Sequence, residues 1–303
     1  MAKRSLKGAP GRLRPGCPFA AGERKAKRMK IAVFYEHLME AARQSQKDLD
    51  EILDIARGCG VQGVDFPLQG LDESPQDAKA RLDRAGLSVL SLHKDCDFVH
   101  VPDWGQAREL VDLAAQWGVG PVLVVPGFVE ENADAQQWKQ AEETIVKALV
   151  PLCGYAAAKG VNVTLEDYDG VKAPFGTMEQ LLGFTRQVPG LGISFDTGNF
   201  LFWAQDELAA FELLKDKIVH IHCKDRALQP SNGACQVSVD NTKLYPSPVG
   251  GGVIHMREIL TRLSRMGYTG ALTIEHFGAQ DQLALLRQSA GWLREALDSL
   301  EKN

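Results

Sequence analysis

The stretch Val219-His220-Ile221-His222-Cys223-Lys224-Asp225-Arg226 decides how this chain is read. It begins apolar, with Ile218, Val219 and Ile221, and ends in ionisable residues. That is the pattern of a buried strand whose C-terminal end opens into a site. Side chains alternate faces along a strand, so His220 and His222 share one face and His222 lies nearer the opening. Three other apolar runs end alike, each in a carboxylate: Val161-Asn162-Val163-Thr164-Leu165-Glu166, Leu191-Gly192-Ile193-Ser194-Phe195-Asp196 and Ala271-Leu272-Thr273-Ile274-Glu275. Four strand ends offering Glu166, Asp196, His222 and Glu275 suggest one divalent cation bound by three oxygens and one nitrogen. This donor set suits Mn²⁺, Mg²⁺ or Co²⁺, and is compatible with Zn²⁺. Carboxylates gathered so closely repel one another without a cation between them. The alternative is four unrelated strand ends that cap helices or pair with Lys and Arg.

Outward from these ends, one theme repeats. Apolar runs at Lys30–Tyr35, Val61–Phe66, Leu87–His93 and Val122–Val125 precede the four already quoted. Helical patterns intervene through Leu49–Ala56, Pro75–Ala85, Trp104–Trp117, Gln136–Lys159 and Met256–Met266, and a last amphipathic helix is expected over about Leu283–Leu300. Glycine stops such as Gly58-Cys59-Gly60 and Gly86 separate them. Eight buried strands alternating with helices predict a single-domain α/β protein, a (β/α)₈ TIM barrel of about 250 residues. A doubly wound open sheet would want a glycine-rich turn after the first strand, and Val33-Phe34-Tyr35-Glu36-His37 has none. Gly250-Gly251-Gly252 comes late and reads as backbone flexibility near the barrel mouth. Active sites of such barrels lie at the C-terminal ends of the strands, so the four polar ends are expected to meet at one mouth.

Charge and cysteine usage narrow the class further. Residues 1–28 hold nine Lys or Arg against one acid, Glu23; since the chain sums to −5, the rest carries −13. An acidic body argues against nucleic acid as partner, because phosphate binding needs a basic face. The basic leader lacks an apolar core and is no secretory signal. It reads as a disordered extension over 1–28 or a start codon placed too early, with an organellar presequence as the alternative, ahead of a barrel domain over 29–303. No apolar run approaches the roughly 20 residues that span a bilayer. Six scattered cysteines without a C-x-x-C pair fit a reducing, cytoplasmic setting.

The segments Thr164-Leu165-Glu166-Asp167-Tyr168, Phe195-Asp196-Thr197-Gly198-Asn199, His220-Ile221-His222-Cys223-Lys224-Asp225 and Gly267-Tyr268-Thr269-Gly270-Ala271-Leu272-Thr273-Ile274-Glu275 resemble the xylose-isomerase-like TIM barrels, and within them the sugar phosphate isomerase/epimerase proteins. The resemblance implies that Glu166, Asp196, His222 and Glu275 are metal ligands and that Glu166 and Glu275 double as the acid–base pair. It implies a metal-dependent isomerase or epimerase of a small sugar or keto-sugar, working through an enediolate without an organic cofactor. A divalent ion chelating a carbonyl and its neighbouring hydroxyl would stabilise such a species. Lys224 could steady the developing oxyanion, or pair with Asp225 or Asp196 instead. His93 is a candidate substrate contact or proton shuttle, or a satisfied strand-end histidine. Asn199 stands where ketose epimerases of this group carry a substrate-contacting His, and Leu228 where they carry an Arg. Arg226 would compensate, or is a surface charge. These departures keep a second reading open, a dehydratase or lyase acting on a keto-sugar, ketocyclitol or keto-glycoside. An endonuclease IV-like nuclease and a non-catalytic sugar-binding subunit complete the alternatives. His220 is expected within the barrel, and Phe200, Phe202 and Trp203 in the core. Loops Asp167–Thr177 and Ala227–Val249 are long enough for lids, with Tyr245-Pro246-Ser247-Pro248 resting over the site. The partner is a small carbohydrate, neither nucleic acid nor membrane, and a homo-oligomer is compatible, since barrels of this type commonly pair.

Overall fold

A computed structural model describes residues 28–301. Apart from Arg28, the basic extension lies outside the described residues. Arg28 itself reaches Asp298 and Glu301 at the end of the last helix, at 2.5 and 3.2 Å.

In chain order the strands are β1 (Lys30–Phe34), β2 (Gly63–Pro67), β3 (Ser88–Asp95), β4 (Pro121–Val125), β5 (Asn162–Glu166), β6 (Gly192–Asp196), β7 (Ile218–Ala227), β8 (Gln236–Val237), β9 (Lys243–Ser247) and β10 (Ala271–Glu275). The helices are α1 (Tyr35–Ser45), α2 (Leu49–Gly58), α3 (Pro75–Ala85), α4 (Arg108–Trp117), α5 (Ala135–Ala157), α6 (Met178–Gln187), α7 (Glu207–Leu214), α8 (Met256–Arg265) and α9 (Gln282–Leu300). Strands β1 to β7 pair in parallel in sequence order. β10 closes the ring by pairing in parallel with both β7 and β1. This is the expected (β/α)₈ barrel.

Local chemistry sets most helix starts. Asp48, Ser74, Asp134, Thr177, Asp206 and Asp281 each accept a first-turn backbone amide. Asp134–Gln137 and Thr177–Gln180 form reciprocal capping boxes. Gly86 and Gly118 close α3 and α4 in the left-handed conformation.

Three expectations need correction. The segment after β1 holds two helices, with Tyr35 opening the first instead of ending the strand. β7 does not stop at His222 but continues to Ala227, because β9 pairs antiparallel with Asp225–Ala227 and prolongs its ladder. The Ala227–Val249 loop therefore carries a small β8–β9 hairpin. Nor is Gly250-Gly251-Gly252 a flexible spacer. The amides of Gly250, Gly252 and Ile254 wrap the Asp225 carboxylate at 2.8, 3.1 and 3.2 Å. A Cβ at Gly252 would strike that carboxylate and the Arg226 carbonyl.

Strand alternation sorts the barrel into two faces. Outward residues meet the helices: Phe195 packs on Phe211 of α7, and Phe66 on Trp117 of α4. Inward residues form layers, as in other barrels of this type. The middle layer here is polar and mostly hydrogen-bonded, with Ser91 Oγ the exception. Thr164 Oγ1 bonds Ser194 Oγ at 2.8 Å and the Val122 carbonyl at 3.0 Å. His220 Nε2 meets Asp65 Oδ2 at 2.7 Å, and Thr273 Oγ1 donates to Asp65 Oδ1 at 2.9 Å. One step up each strand brings Glu166, Asp196, His222 and Glu275 to the C-terminal mouth. Phe200 and Phe202 are buried, in keeping with a core role. Among the described residues, no helix is long and apolar enough to cross a membrane.

Candidate metal centre

Glu166, Asp196, His222 and Glu275 converge from β5, β6, β7 and β10, and all four are buried. Each offers one ligand atom, and these atoms lie within 4.8 Å of one another. Their individual settings leave two carboxylate oxygens without a partner. Asp196 Oδ1 accepts the amides of Gly198 and Asn199 at 2.8 and 2.7 Å, which fixes the carboxylate plane. Its Oδ2 is buried with no hydrogen-bond partner. Glu275 is similar: Oε1 meets Lys224 Nζ at 2.5 Å, whereas Oε2 is buried, unpartnered, and 3.6 Å from His222 Nδ1. Leaving a buried acceptor unpaired costs about 1–3 kcal/mol, and two at one point call for a ligand. The donor set of three carboxylates and an imidazole fits a hard or borderline divalent cation.

The electrostatics agree. Burial raises the Glu275 carboxyl, Lys224 lowers it, and Asp196 with Glu166 raises it again, so it stands well above the ordinary carboxylate range. Burial works against charge on the His222 ring, but Glu166 and Asp65 outweigh it and hold the imidazole well above its usual value. Asp167, buried beside Asp196 and Glu166, is also pushed well up, mainly by desolvation. These acids attract protons, and a cation would relieve the same repulsion.

His222 is oriented from behind. Its Nδ1 faces Glu166 Oε1, while Nε2 lies 3.0 Å from Asp65 Oδ2. The Asp65 carboxylate takes the Nε2 hydrogen, leaving Nδ1 directed at the cluster. Carboxylate–imidazole pairs of this kind fix the ring tautomer behind metal sites. Burial alone would raise Asp65, but His220 and His222 hold it well below the ordinary carboxylate range.

Lys224 lies on the same inward face as His222, and its ammonium contacts Glu275, Asn199 Oδ1 at 2.7 Å and Asp169 Oδ2 at 3.6 Å. The partners anticipated from sequence, Asp225 and Asp196, are not the ones it takes. Asp225 is on the opposite face of the strand, enclosed by backbone amides. Burial opposes charge on Lys224, yet Asp169, Asp196 and Glu275 keep it cationic. Asn199 is buried and donates to the Asp167 carbonyl at 2.8 Å. Arg226 is no surface charge: it is 5% exposed and paired with Asp169. Leu228 is exposed and lines no part of the cavity.

Above the cluster opens a cavity of about 590 Å³. His93 lines it, with Nε2 2.7 Å from Glu36 Oε1. Burial lowers the His93 ring and Glu36 raises it, with a net upward shift. Phe34 stacks edge-on against His222 at 4.7 Å and His93 at 5.3 Å. Ala234, Cys235, Gln236 and Pro246 from the long β7–α8 connection form part of the wall, as anticipated for Pro246. The Asp167–Thr177 loop contributes Tyr168 and Asp169.

Sequence reasoning missed Asp65, Glu36 and Asp169. Asp65 had a signal, an acid inside the apolar run Val64-Asp65-Phe66. Asp169 and Glu36 follow strand ends closely but in no distinctive pattern.

The family model of the xylose isomerase-like TIM barrel matches residues 37–296. Inosose dehydratase of Geobacillus thermodenitrificans is 24% identical over 50% of this chain and 49% of its own length. The chain thus spans about half the length of the curated relatives it matches. A D-tagatose 3-epimerase-like protein shares the fold at TM-score 0.68 and 19% identity, covering 90% of this chain and 99% of that one. A xylose isomerase-like TIM barrel protein from Mycobacterium smegmatis, solved with magnesium, follows at TM-score 0.63 and 18% identity, covering 83% and 88%. With that match across most of its length, the chain belongs to the xylose isomerase-like TIM barrel family.

Proposed function

We propose that this protein is a divalent-metal-dependent isomerase or epimerase of a small sugar or keto-sugar. The observation that carries the reading is the meeting of two glutamates with Asp196 and His222 at one point beneath a cavity. Glu166, Asp196 through Oδ2, His222 through Nδ1 and Glu275 would hold the ion. Mn²⁺ is the proposed metal, and a divalent ion is supported by magnesium in the M. smegmatis protein and zinc in a second protein of the same fold. When bound, it supplies Lewis acidity at a carbonyl oxygen and the adjacent hydroxyl.

The chain's own groups would then manage the proton. One glutamate removes the hydrogen from the carbon beside the carbonyl, and the other returns a proton. Return to the opposite face gives the epimer; return to the neighbouring carbon gives the isomer. Burial, Asp196 and Glu166 hold Glu275 above the ordinary carboxylate range, a shift that a bound cation would relieve and so free the carboxylate for proton transfer. The Lys224 ammonium, 2.5 Å from Glu275, is placed to face negative charge developing on a substrate oxygen. His93, Asn199 and Arg226 line the cavity and are proposed substrate contacts. Asp65 is proposed to position His222 without touching substrate.

A second reading follows from Asn199 and Leu228 and from the inosose dehydratase relative. The same proton removal, with a leaving group β to the carbonyl, would end in elimination. A keto-sugar and ketocyclitol panel in D₂O, followed by NMR, separates the readings. Both exchange the α-hydrogen, and only elimination yields an unsaturated product. Absence of exchange with every compound would reject both.

A further inference from the structure

We infer that the substrate of this cavity is an uncharged polyhydroxy compound, a free sugar or cyclitol, and not a phosphate ester. The inference rests on reading the cavity as the substrate site. Five carboxylates line the cavity, from Glu36, Asp95, Glu166, Asp169 and Glu275, against two permanent cations, Lys224 and Arg226. Both cations already carry carboxylate partners, so neither brings an uncompensated positive charge to the cavity. Lys224 is shared between Glu275 and Asp169, and Arg226 is paired with Asp169. His93, the remaining basic group of the lining, is held by Glu36. A divalent ion at the centre would bring the lining near neutrality without making it positive.

Hydrogen-bond polarity points the same way. Carboxylates only accept, and a phosphate dianion also only accepts, whereas each hydroxyl of a polyol can donate. An acid-lined cavity therefore suits a donor-rich, neutral ligand. Phosphate sites use Arg forks, uncommitted Lys or helix N-termini. The rest of this lining is mostly apolar, with Pro67, Leu123, Val125 and Phe277, or amide, with Gln69 and Gln236. Gln69 is already engaged, accepting the Asp95 amide at 2.7 Å. The apolar wall suits the C–H faces of a ring better than a charged group.

Calorimetry on the Mg²⁺-loaded full chain tests this with matched pairs: D-fructose and its 6-phosphate, D-tagatose and its 6-phosphate, D-ribulose and its 5-phosphate, and myo-inositol and its 1-phosphate. The expected result is binding by at least one neutral member, with its phosphate ester weaker by about tenfold or more, since like charges in a partly enclosed site repel strongly. A phosphate ester that binds more tightly than its parent would overturn the inference. So would failure of every neutral member to bind at ~50 mM. Binding is read here without turnover, so the two readings fail separately. A neutral sugar that binds but exchanges no hydrogen spares the substrate class and sinks the proton-transfer role. A sugar phosphate that binds tightly and exchanges does the reverse.

Discussion

Asp196 and Asp225 are both buried aspartates on adjacent strands, β6 and β7, and their surroundings differ in one respect that separates structure from chemistry. Four backbone amides surround Asp225, from Arg226 and Ile254 on Oδ1 and from Gly250 and Gly252 on Oδ2. Every oxygen of that carboxylate is used, and the glycines that allow the wrap can take no side chain there without collision. Asp196 receives amides on Oδ1 alone, from Gly198 and Asn199, and its buried Oδ2 faces the other acids unpartnered. The fold closes one carboxylate upon itself and keeps the other open. The backbone satisfies both oxygens of Asp225, which holds its loop, and only one of Asp196, which leaves an acceptor facing the other acids.

The comparison can be broken first at the glutamates that share the open cluster. Glu166→Gln and Glu275→Gln are each expected to lower α-hydrogen exchange by about 10²–10⁴-fold with folding preserved. Exchange at the wild-type rate in either variant, followed by NMR in D₂O, would remove that glutamate from proton transfer. The closed carboxylate comes next. Asp225→Ala strands four buried amides and should lower unfolding free energy by on the order of 3–5 kcal/mol in urea titration. The fraction that folds should bind metal as the wild type does. Wild-type stability would show that the glycine wrap holds nothing together. The smallest effect is expected at Asp65→Asn. That change weakens the grip on His222 Nε2 and should reduce metal affinity about 10–100-fold, with an altered Co²⁺ absorption spectrum. An unchanged affinity and spectrum would make Asp65 a core residue only.

The same contrast explains what could be read from the sequence. Glu166, Asp196 and Glu275 are legible because each ends a short apolar run where pairing also ends. The seventh strand is not, since its last residues pair with β9, which lies in a loop without strand periodicity. Lys224 and Arg226 were thereby placed beyond the strand, and their shared partner Asp169 arrives from the β5–α6 loop. Asp65 remains obscure for a similar reason. Its partners His220, His222 and Thr273 come from β7 and β10, and meet it only when the barrel closes. Helix α6 was legible in principle, through the capping box of Thr177 and Gln180. Helix α7 offers no comparable stripe, being largely apolar over Glu207–Leu214.

The central claim, that four side chains distant in sequence hold one divalent ion, is tested most directly by calorimetric titration of Mn²⁺ into metal-free wild type and Asp196→Asn. The account predicts one ion per wild-type chain, with affinity at least ~100-fold weaker in the variant and unfolding free energy little altered. Absence of stoichiometric binding in the wild type, or equal affinity in the two proteins, would contradict it.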